Sequence, residues 1–161
     1  MSSSTELPWP LPDPRARLYV SEFADMHQLV RPLEIPDSIP TDTARAFETA
    51  RELLRFSFYR YEFAAVAVST SIIAIEAALR DRYGGTNLAT MVTKALEDGI
   101  IDEGQADHLN TGRQIRNRYA HGKTMHPALP ITWAVQLVKT SLDVIALLVS
   151  NRDTQQTEVP S

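Results

Sequence analysis

The stretch from Arg113 to His126 carries Arg113, Arg116, Arg118, Lys123, His121 and His126, and not one carboxylate. In a chain of 161 residues with net charge −4, four fixed positive charges in one short run make a local footprint for a phosphate-bearing partner. The same residues also suit a helix C-terminus, where cations complement the backbone dipole. Arg presents a planar fork of donors that matches phosphate, and imidazole exchanges protons near neutral pH. Together these two groups suit phosphoryl chemistry on a substrate that brings its own nucleophile.

Spacing sharpens the candidate. In Arg116-Asn117-Arg118-Tyr119-Ala120-His121-Gly122, a continuous helix would separate Arg116 from His121 by about 140° and roughly 7.5 Å along the axis. They would then not share a helix face. Gly122 lets the chain leave the helix just after His121, so the imidazole stands at the helix end. One chain supplies one imidazole and one guanidinium, and two copies brought together supply two of each around a common cleft.

Arg116-Asn117 followed by His121-Gly122 resembles the motif of HEPN domains, in which an Arg is followed after four to six residues by a His, commonly with Asn after the Arg. The segment Ser71-Ile72-Ile73-Ala74-Ile75-Glu76-Ala77-Ala78-Leu79-Arg80 resembles the earlier core helix of that family, where a Glu precedes a Leu and a basic residue. The resemblance covers residues 41–150. It implies a bundle of four to five helices with the motif at the end of a late helix, followed by a last helix. In many members the motif makes a metal-independent ribonuclease, active as a homodimer with the two motifs facing, and many such members are toxins or antiviral defence components with an antitoxin or partner protein. Others keep the fold as a non-catalytic adaptor that dimerises and binds nucleotide, RNA or a protein. Toxins inactivated by nucleotide transfer carry a Tyr two residues after the motif His. Here that position is Lys123, so control of that kind is not implied.

The implied chemistry needs no metal and no cofactor. The RNA 2′-OH is the nucleophile, and His121 would take its proton or protonate the leaving 5′-oxygen. Arg116 would neutralise charge growing on the phosphoryl oxygens, and Asn117 would orient His121 or bind phosphate. Arg113, Arg118 and Lys123 would hold the strand. Glu76, costly to bury unless paired, either hydrogen-bonds the motif region or anchors an Arg in the core. Tyr119 could stack on a base, but its spacing with Ile115 predicts core packing. His126 could touch substrate, though a loop position predicts a solvated side chain. His27 and His108 are expected at the surface and Trp133 in the core, and no His and carboxylate set has convincing metal spacing.

The elements that must position these residues are helical. From Thr41 the apolar residues recur at three and four, with Phe47, Ala50, Leu54 and Phe58 on one face and Thr41 or Thr43 as cap. Residues 61–82 form the central helix, apolar on all sides and therefore expected to be buried on all sides. Gly84-Gly85 stops it, Asn87 caps a short helix ended by Gly99, and Asp102 caps the motif helix. A final apolar helix runs from Ile131 to Ser150. The expected architecture is an all-α compact bundle of about five helices spanning 41–150, with a polar tail at 151–161.

Residues 1–40 hold seven of the ten prolines and read as an extended arm, with a short helix expected within 18–30. Trp9, Leu11, Leu18, Tyr19, Val20 and Phe23 are expected to lay the arm across its own domain or a partner subunit. Hydrophobic content of 43% and charge of 22% match a soluble globular protein, and the absence of Cys excludes disulfides and thiolate chemistry. Thirteen of the sixteen basic residues are Arg. No signal peptide is visible, and the apolar stretch Phe63–Leu79 is shorter than a membrane span, so a cytoplasmic protein without a membrane segment is expected.

Overall fold

The computed structural model describes residues 8–123 and 129–157; His126 lies outside them. Every regular element among these residues is helical. Two 3-10 turns, Ala16–Leu18 and Phe23–Asp25, precede α1 (Met26–Val30), α2 (Thr41–Phe56), α3 (Phe63–Tyr83), α4 (Leu88–Glu97), α5 (Glu103–Ala120) and α6 (Ile131–Thr157). The all-α bundle is as expected, with five long helices and the short α1.

Local signals in the sequence account for most of the ends. Asn87 accepts from the Ala89 N–H at 2.9 Å, and Asp102 and Gln105 form a reciprocal capping box at 2.8 and 3.0 Å. Gly84 takes the left-handed conformation (φ 63°) that lets α3 stop. Thr41 departs from expectation. It is the first helical residue rather than the cap, because Pro40, fixed near φ −55° with extended ψ, takes the cap position and no side chain bonds there. At the other end, α6 runs seven residues past Ser150, through Thr157. The polar residues there hold no Gly or Pro, and Asn151 and Thr154 donate from their side chains to the carbonyls of Leu147 and Ser150.

Helix α3 is the axis of the bundle and packs against α2, α4, α5 and α6. Its first half is buried on nearly all sides, through Ala64, Ala67, Val68, Ser69, Ser71 and Ile72. Its second half is not. Ile73 is 60% exposed and Ala77 and Arg80 face solvent, because α5 and α6 cover only part of the circumference there. α3 has 21 residues, and both it and the Ile131–Arg152 stretch of α6 are long and apolar enough to cross a bilayer by length and composition. Half of each window is nonetheless buried against other helices, at 50% and 56%. The polar side chains they bury, Ser69, Ser71 and Ser141, satisfy themselves on carbonyls of the preceding turn.

The segment before α2 joins the same core. Ala16, Val20, Met26, Val30, Leu33 and Ile39 are all buried in it. Trp9, Leu11 and Leu18, expected as anchors, are exposed. What ties the start of this segment down is polar. The Asp13 N–H donates to the Phe58 carbonyl at 2.7 Å, and Arg15 bridges Asp13 and Glu62 at 2.7 and 2.9 Å while lying over the Tyr61 ring. Pro8, Pro10, Pro12 and Pro14 keep the chain around Trp9 and Leu11 extended, so no helical turn docks these two side chains on the bundle.

Candidate functional site

The site is built at the C-terminal end of α5. The helix meets α3 at Gly112, where a Cβ would stand 2.5 Å from Ile72 Cδ1, so the two backbones approach closer than a side chain on α5 would allow. One turn further along both helices, Arg116 reaches Glu76. The two pairs advance in the same direction on each helix, so α3 and α5 run parallel through this contact. Ile115 is the last buried residue of α5. Beyond it the helix projects past its packing partners.

Arg116 donates through Nη1 to the Glu76 carboxylate and through Nη2 to Asn117 Oδ1 at 3.4 Å. The other Glu76 oxygen accepts from Arg80 at 3.0 Å. The Glu76 and Arg116 side chains are 18% and 23% exposed, shielded enough for the pair to be held in one geometry. Of the two openings for Glu76, the bond to the motif region is the one realised, for its second partner, Arg80, is half-exposed rather than in the core. The run 113–126 contains no acid in sequence, yet the fold supplies one. Arg116 and Arg80 share that one carboxylate, so the trio keeps a net positive charge, and Arg113, Arg118 and Lys123 have no carboxylate partner among the described residues. Arg113 is half-buried, and its Nε is buried without a hydrogen bond.

His121 closes the helix. Its N–H donates to the Asn117 carbonyl, that of Gly122 (φ 64°) to Tyr119, and that of Lys123 to Arg118, each at about 3.0 Å. This is the paired-bond helix stop that a left-handed glycine permits. The imidazole is exposed and makes no hydrogen bond among the described residues. Arg116, Asn117 and Glu76 are brought together, with Arg113 one turn earlier on a neighbouring face. Arg118 projects from α5 about 160° away from Arg116, and His121 lies on that other side. One chain thus holds the guanidinium fixed and the imidazole free, apart from each other.

No family model, no curated protein and no solved structure matches this chain.

Two expectations at the site are corrected, and one residue had been passed over. Tyr119 is 48% exposed rather than packed, since it lies one turn beyond Ile115, where no described residue covers α5. His108 is half-buried rather than superficial: its Nδ1 is 2.8 Å from the Thr140 hydroxyl and its ring meets Trp133 edge-on at 4.9 Å. Gly112 went unremarked in the sequence, where an isolated Gly inside a helical pattern was its only signal. Among the described residues no group of three or more His, Asp or Glu could hold a metal ion.

Proposed function

We propose that this chain is a metal-independent endoribonuclease of the HEPN type, acting as a homodimer in the cytoplasm, within a toxin or antiviral defence system. The observation that carries the reading is the contrast between Arg116, held by Glu76, and His121, free at an open helix end. A fixed cation stabilises charge in the transition state without reorganising, and an unpaired imidazole is available for proton transfer. The RNA 2′-oxygen attacks phosphorus, the bond to the 5′-oxygen breaks, and a 2′,3′-cyclic phosphate forms. His121 of one copy takes the 2′-OH proton while His121 of the other protonates the 5′-oxygen. Arg113, Arg118 and Lys123 hold the strand. The homodimer follows from this division of labour, since one imidazole cannot give and take a proton in the same step.

A second reading has its own observation. An Arg engaged by a shielded carboxylate and a neighbouring amide also serves as a structural anchor, which suits a non-catalytic adaptor that binds RNA, nucleotide or a protein partner. Incubation with single-stranded RNA in EDTA separates the two. The enzyme cleaves RNA to cyclic phosphate ends, spares DNA, and loses activity as His121→Ala. RNA left intact across a broad substrate set would replace it with the adaptor, and light scattering showing an active monomer at tens of micromolar would overturn the homodimer.

A further inference from the structure

A second cleft lies at the other end of the bundle. It has a volume of about 610 Å³ and lies open between α1 and α2, lined by the basic side chains of His27, Arg31, Arg51 and Arg55 and by the carboxylates of Glu34 and Glu52. The charges do not cancel. Arg55 occupies Glu52 with two bonds of 2.9 and 3.0 Å, whereas Arg31 and Arg51 have no carboxylate partner among the described residues, and Arg51 reaches only the Leu33 carbonyl at 3.4 Å. Arg55 Nε is buried without any hydrogen bond. Such a cleft suits an anion with several oxygens.

An aromatic cleft adjoins it. Its walls include Phe23, Phe56, Tyr59 and Phe63, with Trp9 at the rim, in a volume of about 740 Å³. The partition between the two clefts is the Arg55 guanidinium lying 5.4 Å over the Phe23 ring, with the Tyr59 ring 5.2 Å from the same ring. Trp9 is 90% exposed and Phe56 44%, leaving flat apolar faces open beside the cationic cleft.

We propose that these joined clefts bind a nucleotide unit, with phosphate on Arg31, Arg51 and Arg55 and the base against Phe56, Tyr59 and Trp9. Phosphate beside a planar aromatic base is the chemistry that a cationic groove with stacking faces recognises. The site stands apart from the Arg116–His121 reading. Phe63, at its edge, precedes Glu76 by thirteen residues of α3, or about 20 Å along the helix.

Calorimetric titration of the full chain tests this with ATP, tripolyphosphate, adenosine and a ten-residue oligodeoxythymidylate, which lacks the 2′-OH and cannot be consumed. ATP should bind at least tenfold more tightly than tripolyphosphate or adenosine. Arg31→Glu, at an exposed position, and Arg51→Glu should each weaken ATP at least tenfold with an unchanged circular dichroism spectrum. Phe56→Ala should reduce ATP to the affinity of tripolyphosphate. His121→Ala should leave ATP affinity unaltered, which keeps this site distinct from the motif. Tighter binding of the oligonucleotide than of ATP, weakened by Arg31→Glu, would identify a strand as the source of the nucleotide unit in these clefts, and the reverse order a free nucleotide. The proposal is overturned if neither ATP nor the oligonucleotide binds at millimolar concentration, if both Arg variants bind ATP like the parent, or if tripolyphosphate matches ATP in the unaltered protein.

Discussion

Arg116 and Glu76, forty residues apart in sequence, are joined by an ion pair across the α3–α5 seam. The pair exists because the seam is closed one turn earlier by Gly112 against Ile72. A local packing choice on α5 thus sets the position of a charged group on the next turn.

Glu76→Gln should therefore cost more than its exposed neighbour. Removing one partner of a shielded pair leaves Arg116 uncompensated, at about 1–2 kcal/mol, below the full penalty of a deeply buried pair. Arg80→Ala, breaking the half-exposed arm of the same network, should cost at most about 1 kcal/mol. Chemical denaturation measures both, and equal losses would show that Glu76 does not hold Arg116 preferentially.

Gly112→Ala should destabilise even though alanine favours a helix by about 1 kcal/mol over glycine. The added methyl meets Ile72 Cδ1 and Cγ1 at 2.5 and 2.9 Å in a buried seam, and overpacking of this kind costs about 1–3 kcal/mol. Ile72→Val, which deletes Cδ1, should recover part of the loss when combined with it. Additive losses in the double variant would mean that the clash is not between these two residues.

His121→Ala should change the melting temperature little, because the imidazole is exposed and makes no hydrogen bond among the described residues. Gly122→Ala should cost about 1 kcal/mol, since a side chain is strained at φ 64°. Thermal scans of the pair of variants give the order. On the ribonuclease reading, both should slow RNA cleavage, His121→Ala completely and Gly122→Ala by redirecting the end of α5.

The start of the chain carries a pH dependence. The Arg15 guanidinium holds the Asp13 carboxyl down at about 2, below its ordinary value of 3.8. A lowered folded-state value contributes stability that is present above the unfolded value and lost as pH falls from about 4 toward 2. With Arg15 near the surface, the loss is on the order of 1 kcal/mol after solvent screening. Asp13→Asn should flatten the decline over that window, whereas Trp9→Ala and Leu11→Ala, at exposed side chains, should leave stability within about 0.5 kcal/mol. Urea midpoints between pH 2 and 5 compare the three.

Short-range order along the chain sets the helices and most of their ends. Asn87, Asp102 with Gln105, Gly84 and Gly122 each act through bonds to residues two to five positions away, so their effect is written in the local order of the chain. The helical class and the place of His121 at a helix exit follow from the same short-range rules. Tertiary structure alone decided which Arg is paired and which faces are open. Arg113, Arg116 and Arg118 look alike along the chain, and only the parallel docking of α3 on α5 gives Arg116 its carboxylate. Tyr119 has the spacing of a core residue and His108 that of a surface one, and each is reversed by where α3 and α6 begin and end against α5. The two clefts at the far end likewise join residues 9, 23 and 31 to residues 51–63, a contact that no periodicity within either segment records. Period tells which face of a helix is apolar, but the partner, the register and the last covered turn are set by how whole helices fill space together.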